Sequence, residues 1–166
     1  MNDSQVTFLP LTPERIDPAR EIYNHYVRNT TVTFHVTELT TQQFADMLIT
    51  DSPRLGSWVI QREGRTIGWC CLMRYKPRCA FDQTAEVSVY LHPDATGAGA
   101  GRQAVEFLLD RAGEKGLHAL IASISGENTR SLVLFEKMGF QTVGTLRQVG
   151  VKFDRRLDLV LMEKLL

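Results

Sequence analysis

Apolar positions in this chain recur with two different periods, and the changes of period divide it into elements. Val6 to Leu11 reads as a short strand. From Pro13 to about Arg28 the spacing becomes helical: Ile16, Ala19, Ile22, Tyr23 and Tyr26 form one stripe. Thr12 is placed to cap that helix, Glu14 falls in its first turn, and Pro18 must lie close to its start. Asn29 to Phe34 is a polar, β-branched loop or short extended segment. Thr40 or Thr41 opens a second helix that runs to about Ile49 and ends at Asp51-Ser52-Pro53. Ser57 to Arg62 and Thr66 to Tyr75 read as a hairpin turning at Gly64-Arg65, and Lys76 to Gln83 as a polar loop.

Further on, Val87, Val89 and Leu91 alternate with Ser88 and Tyr90, which predicts a strand stopped by His92-Pro93-Asp94. Val105, Leu108, Leu109 and Ala112 then mark a helix, and His118 to Ser125 a buried strand. Gly126-Glu127-Asn128 opens another helix with Val133, Leu134 and Met138 as its stripe and Gly139 as its stop. Phe140 to Arg147 and Val151 to Met162 are two last strands. The order β-α-α-β-β-β-α-β-α-β-β predicts a mixed α/β (α+β) domain with helices covering a sheet.

Chemistry concentrates between the strand at Glu86–Leu91 and the helix after it. Gly97, Gly99 and Gly101 stand among Ala98 and Ala100, followed at once by Arg102. Glycines let a backbone approach a ligand closely, and first-turn N–H groups have no partner within their helix. Such a turn favours phosphate, although a plain strand-to-helix turn would use the same residues. The P-loop pattern fails for want of a lysine followed by Ser or Thr. The dinucleotide fingerprint fails because Arg102 stands where its third glycine belongs. What remains is T-x-x-G-x-G from Thr96 to Gly101, suited to a pyrophosphate held by backbone amides and one guanidinium.

Composition narrows the field. Nineteen basic residues cancel nineteen acidic ones over 166 positions, and no Lys/Arg run is present, which argues against nucleic acid as partner. No apolar run approaches a membrane span, and Met1-Asn2-Asp3-Ser4 is unlike a signal peptide. Three cysteines without C-x-x-C fit reduced thiols in a cytoplasmic protein, with Cys70 and Cys71 on opposite faces of one strand. Four scattered histidines show no metal-ligand spacing, so no metal is expected. The length suits one domain over 1–166.

The glycine turn, its preceding strand, Asn128, and Leu134-Phe135-Glu136-Lys137-Met138-Gly139-Phe140 together resemble the GNAT superfamily of acetyl-CoA-dependent N-acetyltransferases. Residues 23–34, 76–86 and 149–158 are similar to the phosphinothricin and methionine sulfoximine acetyltransferases among them. The resemblance implies a GNAT fold, acetyl-CoA as cosubstrate, a small amine as the other partner, and a homodimer. It implies that Val89, Tyr90 and Leu91 bind the pantetheine arm. It also gives the pyrophosphate to Gly97, Ala98, Gly99, Ala100, Gly101 and Arg102, with Asn128 reaching the cofactor.

Glu86 matches the catalytic glutamate of these relatives. An amine must lose its proton before it attacks, and a carboxylate at the strand start can take it; the other reading is a strand-end carboxylate facing water. Lys76 and Arg78 match positions that bind the acidic groups of phosphinothricin, although by themselves they read equally as a solvated basic loop. Phe34, Phe81 and Thr84 complete the substrate side by the same resemblance. Three departures stand out: Thr96 for Gln or Arg, Phe135 for Tyr or His, and Arg156 for a tryptophan. Phenylalanine cannot move a proton. Three functions therefore compete: an N-acetyltransferase for a small anionic amino acid, one for another amine or a peptide N-terminus, and a CoA-binding module with weak chemistry.

Overall fold

A computed structural model describes residues 5–166; the polar start at Met1 to Ser4, with its signal-peptide expectation, lies outside them. Seven strands form one sheet: β1 (Thr7–Pro10), β2 (Gly56–Arg62), β3 (Arg65–Arg74), β4 (Thr84–Leu91), β5 (Ala119–Ser125), β6 (Gln141–Lys152) and β7 (Arg155–Leu165). Their order across the sheet is β1-β2-β3-β4-β5-β7-β6. The helices are α1 (Ile16–Asn29), α2 (Thr41–Leu48), α3 (Ala100–Glu114) and α4 (Thr129–Lys137). The mixed α/β order matches the one read from the sequence. Among the described residues, no helix is long and apolar enough to cross a membrane.

Alternation along the strands divides the interior into two layers. Ile60, Cys70, Leu72, Val87, Leu120 and Ala122 face α3 and α4, with Val105 and Leu108 packed on them. Val59, Trp69 and Cys71 face the other way, against Ile16, Tyr23 and Phe44 of α1 and α2. Cys70 and Cys71 thus sit in different layers, as alternation requires. Phe44 has no exposed surface, and burying such a side chain contributes about 1.5–3 kcal/mol.

Local chemistry sets the element ends. Thr40 caps α2 by accepting from Gln43 N, and the Gln43 side chain accepts from Thr40 N in return. Thr12 does not cap with its side chain: Pro13–Arg15 forms a 3-10 turn, closed by Arg15 N donating to Thr12 O. The helix proper starts at Ile16, so Pro18 falls in its first turn, where its missing N–H costs nothing.

Both long hairpins turn on two consecutive residues with positive φ, the backbone that suits the twist of the flanking strands. These are Glu63 (52°) with Gly64 (75°), and Phe153 (51°) with Asp154 (56°). The first lies one residue before the expected Gly64-Arg65 turn. The second lies several residues past the break expected between Arg147 and Val151. Gly150 reads as a turn residue in sequence, but it sits inside β6 opposite Leu157, after a register shift between Leu146 and Gly150.

Candidate functional site

Sheet pairing opens the site. β4 pairs in parallel with β5 at Thr84, Ala85 and Glu86 only, whereas β5 continues to pair with β7 as far as Ser125. Beyond Glu86 the two central strands part. On its other edge β4 stays paired with β3 through Leu91, and His92 N donates to Ile67 O at 2.7 Å. Backbone direction alternates along a strand, so Val87, Val89 and Leu91 turn their N–H and C=O groups toward the gap. An amide-bearing chain can pair with such an edge.

The glycine turn closes one end of this gap. Gly97 and Gly99 have φ of 86° and 80°, a left-handed backbone, and Gly99 is the N-cap of α3. The first-turn N–H groups of α3 thereby face out of the helix start. At Gly101 a Cβ would press on the Leu134 side chain, 3.3 Å from its Cδ2, and touch Leu91 Cδ1 at 3.7 Å. Arg102 is exposed and pairs with Glu106 one turn on, at 2.8 Å. A surface pair of that kind holds its guanidinium weakly, leaving it free to turn to an anion.

Gap and turn together make a cleft of about 440 Å³. Its walls include Val89, Tyr90, Leu91, Gly97, Gly99, Gly101, Arg102 and Asn128, all expected from the sequence. Ala98 is exposed in the turn, and Ala100 is buried beneath it. Asn128 Oδ1 accepts from Ser131 N at 3.3 Å and caps α4, which leaves its amide NH₂ uncommitted among the described residues. Sequence reasoning missed Tyr26, Val32 and Arg130. Tyr26 OH donates to Leu91 O at 2.7 Å, bracing the free edge of β4 from α1. Burial raises the Tyr26 pKa, so the phenol stays a donor. Arg130, in the first turn of α4, adds a second cation to the cleft wall.

The acceptor side is less gathered. Glu86 is half-buried at the mouth of the splay, opposite Met73 and Ile121, with no salt bridge among the described residues. Phe34 is exposed, and its ring covers Gly150, where a Cβ would come within 2.7 Å of it. Lys76 and Arg78 are exposed on the loop between β3 and β4, with the Lys76 ammonium 5.0 Å from the Tyr75 ring. Phe81 and Thr84 line a separate hollow with Arg54, Leu55 and Arg74 at the far end of β4. Within one chain, then, Lys76, Arg78, Phe81 and Thr84 stay outside the cleft wall, and Glu86 stands two residues along β4 from Thr84, on the way to the cleft-lining Val89–Leu91.

The family model "Acetyltransferase (GNAT) family" matches residues 19–140, nearly three quarters of the chain. This chain is a member of the GNAT family. Phosphinothricin N-acetyltransferase of Streptomyces coelicolor is 32% identical over 97% of this chain and 96% of its own length. The L-methionine sulfoximine/L-methionine sulfone acetyltransferase of Salmonella typhimurium is 33% identical over 86% of this chain and 84% of its own. The solved structure of yncA from Salmonella typhimurium, with its cofactor acetyl-CoA, superposes with a TM-score of 0.89 at 30% identity, covering 96% and 93% of the two chains. The chain is thus an acetyl-CoA-dependent N-acetyltransferase, similar to enzymes that act on amino-acid-like amines.

For a GNAT enzyme, the residue at position 135 is the notable one. Phe135 is 5% exposed, meets Phe140 edge-on with ring centroids 5.0 Å apart, and also lines the cleft. It gives that wall an apolar ring and no proton.

Proposed function

We propose that this GNAT enzyme acetylates the α-amino group of a small anionic amino-acid-like molecule, such as phosphinothricin or methionine sulfoximine, by direct transfer with Glu86 as general base. One observation carries this reading. Glu86 is the last residue of β4 paired with β5, so its carboxylate stands where the gap opens. Acetyl-CoA, when bound, supplies an activated acetyl thioester. The free edge of Val87, Val89 and Leu91 would hold the pantetheine arm, and the turn from Gly97 to Arg102 the pyrophosphate, with Asn128 and Tyr90 at the walls.

Glu86 takes the proton of the incoming ammonium, directly or through one water, and the neutral amine then attacks. A β4 N–H turned toward the gap can donate to the carbonyl oxygen as charge gathers on it. No side chain at Phe135 need protonate the departing thiolate, because a thiol pKa of about 8.5 makes it a fair leaving group.

For the acceptor, the reading gives the acidic groups to Lys76 and Arg78 and the apolar stem to Phe34, Phe81 and Thr84. The distance of four of these from the cleft in one chain fits a homodimer in which a partner copy brings its β3–β4 loop. The edge hairpin β6–β7 supports pairing, since Val143, Leu146, Val149, Val151 and Phe153 are all exposed on it. The reading also keeps one domain over 1–166 and the cytoplasm as location, where the buried Cys70 and Cys71 would stay reduced.

Mass spectrometry of the purified protein with acetyl-CoA and a panel of amines tests the proposal. Acetylation of anionic α-amino acids above neutral amines supports it. A preference for neutral amines or peptide N-termini selects the second reading, and CoA binding without any product selects the binding module. Mixing Glu86→Gln and Lys76→Ala chains tests the shared site: recovered activity supports it, and none counts against it.

A further inference from the structure

Lys152 is 3% exposed, and its ammonium makes one hydrogen bond among the described residues, donating to Thr33 O at 2.9 Å. An ammonium has three donors. No carboxylate lies within ion-pair distance of it among the described residues, and the ring of Phe153 stands 5.3 Å away. Burial lowers the lysine's pKa, the sign of a charge short of partners. Ser125 is 1% exposed, and its hydroxyl has no partner at all among the described residues. Buried polar groups are nearly always bonded, so an unpartnered hydroxyl and an ammonium with a single bond on one surface need an explanation.

They do share a surface. Residues directly opposite in a sheet point the same way, as do residues two apart in a strand. Glu86 faces Ile121, Ser125 faces Leu159, Leu157 faces Gly150, and Arg155 faces Lys152. Glu86, Ser125 and Lys152 therefore project from one face of the sheet. The loop of residues 30–35 lies over it. Thr31 Oγ1 donates to Glu127 at 2.6 Å, and Glu127 pairs with Arg155, the strand partner of Lys152. Thr33 Oγ1 lies 2.6 Å from Tyr23 OH, and Tyr23 and Tyr90 meet edge to face at 5.1 Å. Between them, Val32 lines the cleft.

We infer that Lys152, assisted by the Ser125 hydroxyl, binds the carboxylate next to the reacting amine and so determines specificity for α-amino acids. The inference rests on the reading of the acceptor as an anionic amine, and it adds a seat for the inner carboxylate. Lys76 and Arg78 are left for a second, outer acidic group. A carboxylate satisfies what both side chains lack: an anion for a buried ammonium and an acceptor for a hydroxyl.

The test compares an α-amino acid with its carboxamide as acceptor, in wild type, Lys152→Met, Lys152→Arg and Ser125→Ala. Lys152→Met should raise KM for the acid at least about tenfold, the mark of lost ground-state binding. KM for the carboxamide and for acetyl-CoA should move less than about threefold by the same criterion. Lys152→Arg should recover part of the preference. Ser125→Ala should raise KM for the acid severalfold without lowering Tm. Equal losses on acid and carboxamide would make Lys152 a strut for the 30–35 loop and overturn the inference, leaving the acceptor class standing. Should Lys152→Met fail to fold, unchanged acid preference in both Lys152→Arg and Ser125→Ala overturns it as well. A wild type that acetylates neither acceptor defeats the acceptor reading itself, and this inference with it.

Discussion

Glu86 and Ile121 are the last pair that β4 makes with β5. One residue further, the strands diverge and backbone groups turn to open space. Glu86 is the residue at that fork, and replacing it tests the proposed chemistry directly. Glu86→Gln keeps the shape and removes the carboxylate proposed as base. We expect kcat to fall by about 10²-fold or more at neutral pH, the usual worth of a general base. The deficit should shrink as pH rises toward the amine pKa, because the free amine then needs no base. A pH–rate profile of both proteins decides; equal rates near pH 7 would reduce Glu86 to a strand-end carboxylate.

Gly99 separates the charge of a ligand from the conformation of the turn. Its φ of 80° costs a residue with a side chain about 1–2 kcal/mol, but a Cβ there meets no atom within 4 Å. Gly99→Asn and Gly99→Asp carry the same backbone strain and differ in charge. Repulsion from a pyrophosphate of about 1–4 kcal/mol should weaken CoA binding by Gly99→Asp about fivefold or more beyond Gly99→Asn. Calorimetry measures both. Equal affinities would move the pyrophosphate away from this turn.

Most of this arrangement was legible in the sequence because it rests on local rules. Alternation from Val87 to Leu91, a proline stop and three glycines before a helical stripe place the strand, turn and helix within a few residues. The turn at Phe153-Asp154 was not legible, since neither residue advertises a positive φ and Gly150 offered a more obvious break. Nor could Tyr26, Arg130 or Lys152 be found by pattern. Tyr26 looks like one more member of the α1 stripe, and its bond to Leu91 spans 65 positions. Lys152 looks like a solvated strand lysine until the 30–35 loop covers it, 119 positions away in sequence. Such roles belong to the tertiary fold, which no local period encodes.

His35 should make the loop of residues 30–35 sensitive to acid. Its Nδ1 meets Tyr23 OH, and burial together with the charge of Lys152 lowers its pKa from 6.5. As pH falls, the unfolded imidazole gains its proton first. Stability is therefore lost from about pH 6.5 down to the folded pKa, and the loss is constant below that. We expect Tm of the wild type to drop more steeply than that of His35→Gln between pH 7 and pH 5. A Tm difference between the two that does not change over that range would show that His35 does not titrate against this contact.

Phe135 tests whether this enzyme needs a proton donor on the cleft wall. The ring is buried against Phe140 and also walls the cleft, so Phe135→Tyr would add a hydroxyl on that wall with little change of shape. A hydroxyl facing the departing sulfur could protonate it. A thiolate with a pKa of about 8.5 leaves without much help, so the gain in kcat should stay below about tenfold. The core has its own demand: a hydroxyl turned inward against Phe140 would lack a partner and cost about 1–3 kcal/mol, which a fall in Tm would report. An unchanged Tm with a modest rise in kcat would place the hydroxyl in the cleft. A gain of several hundredfold would mean that phenylalanine had disabled thiolate departure, and that the natural protein serves mainly to bind CoA. An unchanged kcat with an unchanged KM would mean that departure of the thiolate does not limit turnover, and the proposed activity would then rest on Glu86 and the CoA site alone.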